Sequence, residues 1–252
     1  MSDIFMLSKK QFDRIKPCFP LSHGIPRVDD HRVISGIIYV LRNGLQWKDA
    51  PRGYGPPKTL YNRFVRWSRM GVFNRIFVEL AGLAGTPDRM MIDATHLKAH
   101  RTAASLLKKG MFPRRIGRTK GGLNSKLHAV CNGQGKPVAL LLSEGQMSDY
   151  KGAALLLPAL PRAKELLADR GYDADWFRAA LREKGISPCI PPKKNRKIQI
   201  EYDRELYKQR HKVENMFGRL KDWRRIAMRH DRCAHTFFSA ICIAATVIFY
   251  LN

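Results

Sequence analysis

Acidic residues are scarce in this chain of 252 residues. It has 46 lysines and arginines against 21 aspartates and glutamates, which gives a formal net charge of +25. Such an excess of positive charge is typical of proteins that bind a polyanion, because neutralised phosphates release condensed counterions. We therefore expect nucleic acid as the partner, and a membrane surface is the weaker alternative.

Cysteines are also few, and long apolar runs are absent. The five cysteines form no CxxC or other close metal-binding spacing, which argues against a zinc ribbon or a disulfide framework. The longest apolar run, residues 236–251, is shorter than the ~20 residues that span a bilayer, so we expect a buried helix there. The first residues contain no apolar core of a signal peptide. We expect a cytoplasmic protein with reduced thiols and no membrane partner.

Residues 1–85 have the pattern of a helical domain. The segment 29–43 places apolar residues at helical spacing before Gly44, and 58–71 resumes the periodicity after a turn rich in glycine and proline. A helix, a turn and a basic helix are compatible with a helix-turn-helix that reads DNA, although any three-helix bundle gives the same pattern. The side chains expected on the reading face are Lys58, Asn62, Arg63 and Arg66.

The pattern changes after a linker at 82–88, so we place a second domain at residues 86–252. An apolar segment at 89–97 predicts a strand, and residues 125–144 predict a hairpin around a glycine turn. Later segments predict a helix at 149–160, a strand at 164–172, a helix at 173–185, a strand at 186–192 and two final helices. This order predicts an α/β fold in which helices flank one central mixed sheet.

Two aspartates follow apolar strands in this basic chain. Asp93 ends the first strand, and ten lysines and arginines separate it from the next acid, Glu144. Asp169 lies between another apolar strand and a glycine turn. A buried carboxylate is costly unless it is paired or binds a cation, so each aspartate is either a metal ligand or a salt-bridge partner. We expect the nearby Asp173 and Asp175 to cap the following helix.

A third acid lies in a line of polar side chains on the helix predicted over 204–223. At about 100° per residue, Tyr207, Arg210, Glu214 and Lys221 fall within an arc of about 60°. A stripe of apolar residues adjoins this arc, which places the line at the edge of the core rather than on a fully solvated face. Glu214 is therefore a third candidate ligand, and its neighbours on the line include two cations.

These residues resemble the DDE transposases of bacterial insertion sequences. The spacing Tyr207-x2-Arg210-x3-Glu214-x6-Lys221 is the helix pattern of the insertion-sequence-four and -five group. The segments that look like the insertion-sequence-five family are IDATHLKAHR (92–101), GRTKGGLNSKLHAV (117–130), LLADRGYDAD (166–175), IPPKKNR (190–196) and RRIAMRHDR (224–232). The similarity covers residues 90–252 densely and the N-terminal helices more loosely.

The resemblance implies a ribonuclease H-like catalytic core in which Asp93, Asp169 and Glu214 hold two divalent cations. Magnesium suits these hard oxygen ligands, and manganese can substitute for it. The implied activity is cleavage of DNA at terminal inverted repeats, followed by two-metal transfer of the 3′-OH ends to target DNA. Tyr207, Arg210 and Lys221 are expected to bind DNA phosphates. A homodimer or larger assembly is expected on DNA, because two ends must be held together.

Two other functions stay open on the sequence alone. A ribonuclease H-like nuclease would hydrolyse nucleic acid without joining it. A transposase-derived DNA-binding regulator would have lost catalysis, and the three intact acids argue against this alternative.

Overall fold

The computed structural model describes residues 4–21, 29–105 and 113–251. The chain divides into two compact units, and each unit is assembled from separated stretches of chain. The first comprises residues 1–80, 100–114 and 220–252, and the second comprises residues 81–99 and 115–219. The two domains predicted from the sequence, residues 1–85 and 86–252, are continuous along the chain, whereas each of these units combines separated stretches. Lys108 and Lys109, two of the ten basic residues after Asp93, lie outside the described residues.

Helices and strands follow one another in mixed order along the described residues. They are α1 (Lys9–Ile15), α2 (Asp30–Asn43), α3 (Pro57–Arg69), α4 (Val72–Gly82), β1 (Arg89–Ala99), α5 (Arg101–Ala104), β2 (Gly117–Thr119), β3 (Gly122–Asn132), β4 (Pro137–Glu144), α6 (Asp149–Leu156), β5 (Glu165–Leu167), α7 (Asp175–Glu183), β6 (Ser187–Cys189), α8 (Arg204–Tyr207), α9 (His211–Lys221), α10 (Arg224–Ala227), β7 (Met228–Arg229) and α11 (Ala234–Phe249). Short 3-10 turns separate several of these elements.

The first unit is mainly helical, and its N-terminal part confirms the helical region predicted there. Ser8 caps α1 through a capping box with Gln11, which satisfies two backbone N–H groups at the helix start. Gly44 ends α2 at φ 68°, a left-handed conformation that only glycine adopts without steric cost. The inward side chains predicted on α3, which are Leu60, Phe64 and Trp67, are fully buried. Local sequence rules therefore account for these helices well.

The apolar run at the C-terminal end belongs to this helical core. It forms α11, which contacts α2 and α3 and buries most of its side chains. Gln11 and Arg14 of α1 donate hydrogen bonds to the carbonyls of Leu251 and Tyr250, at 2.5 and 2.6 Å. The buried helix predicted for residues 236–251 is confirmed. In the part of the chain that the structure describes, no helix is long and apolar enough to cross a membrane.

A mixed sheet forms the second unit, as the sequence predicted. The hairpin strands β3 and β4 pair antiparallel around the turn at residues 133–136, and β1 pairs antiparallel with the other side of β3. β5 and β6 then extend the sheet from β1 in parallel, and the short β2 pairs with the start of β3. The sheet order is therefore β4, β3, β1, β5, β6.

One face of this sheet is closed by α6, α7 and the turns around them. Their apolar side chains form a buried cluster with Met90 and Ile92 of β1. Because successive side chains of a strand point to opposite faces, Met91 and Asp93 belong to the other face. The strand β1 thus packs one set of residues in the core and presents Asp93 on the opposite side.

Two local expectations were wrong. The helix predicted over 204–223 is not uniform, since a 3-10 turn at Lys208–Arg210 separates α8 from α9. A 3-10 turn has about 3.0 residues per turn, so it changes the angular spacing on which the predicted polar line was based. The caps assigned to Asp173 and Asp175 are also absent. Ala174 occupies the N-cap of α7 without a side-chain bond, because the Asp173 carboxylate is buried in an ion pair instead.

Candidate active site

Asp93 and Asp169 lie beside the paired part of two neighbouring parallel strands. Met91 of β1 pairs with Leu167, the last residue of β5, and each aspartate follows two residues later, Asp93 within β1 and Asp169 in the turn after β5. Residues two apart share a face, and the carboxyl ends of parallel strands meet at one sheet edge. The Asp169 charge is close enough to raise the pKa of Asp93. The structure therefore brings the two acids together, but the prediction that the strand ends at Asp93 was wrong, because β1 stays paired with β3 beyond Asp93 and continues to Ala99.

A tight turn fixes the Asp169 carboxylate. Its Oδ1 accepts the backbone N–H of Gly171 at 2.7 Å, which caps the 3-10 turn Arg170–Tyr172. A Cβ added at Gly171 would lie 2.7 Å from the same oxygen. Glycine is thus required at 171 for the carboxylate to keep this position, which explains the glycine directly after the acid-bearing strand.

The Arg210 side chain connects Asp93 with Glu214. Its guanidinium donates one hydrogen bond to Asp93 Oδ2 at 2.8 Å and another to Glu214 Oε1 at 2.5 Å. Glu214 lies in the first turn of α9, where the helix dipole favours a negative charge. The Arg210 side chain is 17% exposed and Glu214 is 56% exposed. Arg210 therefore links two members of the predicted acid set, Asp93 and Glu214, while Asp169 acts on Asp93 through its charge.

A separate set of polar contacts docks the start of α9 on the sheet. Lys212 donates to the carbonyl of Gly133 at 2.8 Å, next to the hairpin turn, and to Gln209 Oε1 at 3.2 Å. Arg89 at the start of β1 donates to the same Gln209 oxygen and to Glu165 of β5. These contacts hold the turn that carries Arg210 over β1. None of these five residues belongs to the predicted polar line, so helical spacing alone did not reveal these contacts.

Electrostatics at Asp93 are dominated by burial. Burial raises the pKa of Asp93 even though the Ala94 N–H and Arg210 both favour the ionised carboxylate. Burial by itself would lower the pKa of Arg210, but Asp93, Tyr207 and Glu214 reverse this effect and raise it. Burial also raises the pKa of Tyr207, whose hydroxyl is hydrogen-bonded to Arg210. A partly desolvated carboxylate of this kind favours a nearby cation strongly.

A second buried ion pair lies just after the Asp169 turn. Arg178 of α7 donates to Asp173 Oδ1 at 2.9 Å, and both side chains are almost completely buried. Asp173 Oδ2 accepts the backbone N–H of Lys193, and Arg178 also donates to the carbonyl of Ile190. This pair therefore attaches the basic segment 191–197 to the turn of Asp169. In the sequence, this ion pair was indicated only by an acid, Asp173, directly after the turn that carries Asp169.

The remaining predicted residues lie on helices of different exposure. Lys221 is the last residue of α9, and burial lowers its pKa. On α3, Lys58, Asn62 and Arg66 are exposed, whereas Arg63 forms an ion pair with Asp30 at 2.8 Å. Thirteen residues, 44–56, connect α2 to α3, while a helix-turn-helix has a turn of about 3–4 residues. The helix-turn-helix assignment remains a prediction, and Arg63 already has a structural partner.

The donor set suits a hard divalent cation, because it contains only carboxylate oxygens. Across residues 4–21, 29–105 and 113–251, no three His, Cys, Asp or Glu side chains lie together at metal-binding spacing. At the proposed site, Asp93 and Glu214 do not form such a cluster because the Arg210 guanidinium lies between their oxygens. The carboxylate oxygens are therefore chemically suitable ligands for a divalent cation. In this structure, the positive charge beside them is that of the Arg210 guanidinium.

Comparison with known proteins gives two family matches along the chain. Residues 7–77 match the family described as "Putative transposase of IS4/5 family", and residues 84–249 match the "Transposase DDE domain". A relative from Brucella ovis, named as a transposase for insertion sequence element IS6501, is 32% identical over 127 residues, or 50% of this chain and 98% of the relative. A relative from Burkholderia cepacia, named for element IS402, is 34% identical over 140 residues, or 48% of this chain and 64% of the relative.

A solved structure supports the fold at this site. The chain is similar to the piggyBac transposase in its synaptic complex with hairpin DNA, with a TM-score of 0.52 and 9% identity. The similarity covers 97% of this chain and 70% of the other. At this low identity the similarity shows a fold only, and it confirms the ribonuclease H-like arrangement expected from the sequence. The DDE domain match covers more than half of the chain, which therefore belongs to the DDE transposases of the IS4/IS5 insertion-sequence group.

Proposed function

We propose that this protein binds the terminal inverted repeats of an insertion sequence, cleaves the DNA ends and transfers the 3′-OH ends to target DNA. The observation that carries the proposal is the Arg210 bridge between Asp93 and Glu214, with the Asp169 charge acting on Asp93, within a DDE transposase domain. Asp93 and Asp169 are fixed by the strands and a glycine turn, and Glu214 is brought to them by a docked helix. This arrangement supports phosphoryl transfer better than any other chemistry on the sheet.

Asp93, Asp169 and Glu214 are the residues that would hold two magnesium ions, or manganese in their place. Asp93 would be the central ligand of this set, with Asp169 and Glu214 as the other carboxylates that would hold the ions. Such ions activate the attacking oxygen and stabilise the leaving oxygen of an in-line displacement. The chain itself supplies the rigid placement of the carboxylates: the β1–β5 register for the aspartates and the Gln209–Lys212 docking for Glu214.

We propose that Tyr207, Arg210 and Lys221 bind phosphates beside the scissile bond. An arginine fork can donate two parallel hydrogen bonds to one phosphate, and a lysine contributes a point charge. The exposed side chains of Lys58, Asn62 and Arg66 on α3 form a further surface that fits DNA. Two transposon ends must be held in one complex, so the proposed assembly on DNA is a homodimer or larger, in the bacterial cytoplasm.

The test uses a plasmid with the inverted repeats that flank this gene and an unmodified target plasmid. Wild-type protein with Mg²⁺ is expected to cut at the repeat ends and to form joined products. Asp93→Asn, Asp169→Asn and Glu214→Gln are each expected to lower cleavage by more than about 100-fold, since even residues outside the metal ligands change metal sites by 10–100-fold. All three variants should still bind the repeat duplex in a gel-shift measurement.

Asp175→Asn is the matched control, because Asp175 is an exposed acid close to the same turn and pairs with Arg196. This variant should cleave and join like the wild type. Cleavage without any joined product would contradict transposition and indicate a nuclease. Repeat binding by a wild type that never cleaves would instead indicate a DNA-binding regulator. Cleavage that survives all three acid substitutions would contradict the assigned site.

A further inference from the structure

Arg210 uses the oxygens of the very carboxylates that a metal ion would need. Its guanidinium donates to Asp93 Oδ2 at 2.8 Å and to Glu214 Oε1 at 2.5 Å. The other Asp93 oxygen, Oδ1, accepts the N–H of Ala94 at 2.8 Å. Both oxygens of the central carboxylate therefore have donors already. A divalent cation held by Asp93 Oδ2 and Glu214 Oε1 would lie against the Arg210 guanidinium, and the repulsion between the two cations favours displacement of the arginine.

The position of Arg210 reflects the charge balance of the site. The side chains of Asp93 and Arg210 are similarly buried, at 18% and 17% exposure, so their attraction is weakly screened by solvent. Glu214 is more exposed, which makes its bond to Arg210 the weaker of the two. Tyr207 is also hydrogen-bonded to Arg210 and favours its charged form. One cation thus pairs with two acids and offsets only part of their negative charge.

DNA would bring a competing anion to the same place. A guanidinium binds phosphate with the same two-pronged geometry that it uses for carboxylates, so a backbone phosphate can replace Asp93 and Glu214 as its partner. We propose that Arg210 is an exchangeable counter-ion: it pairs with Asp93 and Glu214 without DNA, and transfers to a DNA phosphate when the carboxylates take up metal. This inference rests on the proposed function, and it makes metal binding and DNA binding mutually favourable.

The coupling has a definite magnitude and direction. If DNA raises the affinity for metal by some factor, metal must raise the affinity for DNA by the same factor, and such factors are about 5–150 in proteins. We expect a factor of about 10 in the wild type. Without the guanidinium, the carboxylates are available to metal whether or not DNA is present, so the coupling should largely disappear. If Arg210 had a purely structural role, its removal would instead weaken metal binding.

Mn²⁺ binding to the full chain tests the inference independently of activity. Free Mn²⁺ is measured by electron paramagnetic resonance, with and without a duplex that already ends at the cleaved position of the inverted repeat and carries a 3′-deoxy terminus, so that neither cleavage nor strand transfer occurs. The variants are Arg210→Gln, which removes the charge, and Arg210→Lys, which keeps the charge but not the fork. Lys208→Gln is the matched control, because Lys208 lies in the same 3-10 turn and pairs with the exposed Glu205.

The expected result has three parts. DNA tightens Mn²⁺ binding about tenfold in the wild type and in Lys208→Gln. Arg210→Gln binds Mn²⁺ about tenfold more tightly than the wild type in the absence of DNA, and DNA adds less than about threefold. The anisotropy of labelled duplex shows the same wild-type factor when Mn²⁺ is added, as reciprocity demands. If Arg210→Gln does not fold, as judged by circular dichroism, Arg210→Lys must still show a reduced coupling.

Two results would overturn the inference, and they are distinguishable. Weaker Mn²⁺ binding, or unchanged coupling, in folded Arg210 variants would reject the exchange while the proposed function stands. An absence of Mn²⁺ binding to the wild type, with and without the duplex, would reject both, because the three carboxylates would then hold no metal.

Discussion

Removal of the Arg178 guanidinium is expected to destabilise the protein strongly and to loosen the turn of Asp169. Arg178 and Asp173 are 2% and 1% exposed, and they are joined at 2.9 Å. An arginine-to-methionine change would leave a buried carboxylate and an unbonded Ile190 carbonyl. Breaking a buried pair in this way costs about 3–5 kcal/mol, which is roughly two to three and a half orders of magnitude in the unfolding constant.

The chain provides a matched control on the same carboxylate. Arg196 lies 3.8 Å from Asp173 and also pairs with the exposed Asp175, but its side chain is more accessible than that of Arg178. Arg196→Met should therefore cost less than about 1 kcal/mol, as is usual for surface pairs. Both variants are compared by urea denaturation of the metal-free protein, followed by tryptophan fluorescence and circular dichroism. The two probes together show whether the two compact units unfold separately.

A double-mutant cycle separates the ion pair from other losses. Asp173→Asn with Arg178→Met should cost about 2 kcal/mol less than the sum of the single changes, because the double variant leaves no uncompensated charge. Arg178→Met should also weaken Mn²⁺ binding by about 10–100-fold, the effect typical of residues that orient ligands. Equal costs for Arg178→Met and Arg196→Met, or purely additive changes, would refute the assigned role of the buried pair.

Two further predictions concern pH and salt. Burial lowers the pKa of His128 from 6.5 to about 4, so its neutral form contributes stability that is present above pH 6.5 and is lost towards pH 4. The loss is about 3 kcal/mol, and His128→Gln should flatten the pH dependence of urea unfolding over this range; an unchanged slope would contradict it. Separately, Arg66→Gln should reduce the salt dependence of repeat binding, d log K/d log[salt], by about 0.9, whereas Arg63→Gln should mainly lower stability through its lost bond to Asp30. Equal salt slopes for these two variants would reject Arg66 as a phosphate contact.

The local sequence pattern was sufficient to predict most helices and strands and to single out two of the three acids. The apolar segment of β1 and the glycine turn after β5 predicted two strands beside Asp93 and Asp169, and the parallel register brings both acids near each other, although β1 continues past Asp93 to Ala99. Gly44 also marked the end of α2 as expected. These features depend on neighbours within a few residues, which is why a single sequence shows them.

Contacts between distant residues were not predictable in the same way. Asp93 and Arg210 are 117 positions apart, and no periodicity connects a strand with a later helix. The same holds for Lys212 at the hairpin turn, and for the C-terminal helix α11 within the N-terminal unit. Helical geometry placed Arg210 and Glu214 on one line, but a 3-10 turn within that line altered its spacing. What a helix faces is decided by the whole fold, so the sequence predicted the line of residues but not the partner of Arg210.

The scarcity of acids has a consequence for the active site itself. In a chain with 46 basic and 21 acidic residues, any carboxylate cluster has cations nearby, and the first partner of a site acid is a side chain of the protein. A basic surface alone would therefore bind DNA well and hold metal poorly. An arginine that exchanges its carboxylate partners for a phosphate resolves this conflict, because binding of the phosphate frees carboxylate oxygens to bind metal. On this reasoning, the positive charge that draws DNA to the protein also keeps its acids paired until DNA arrives.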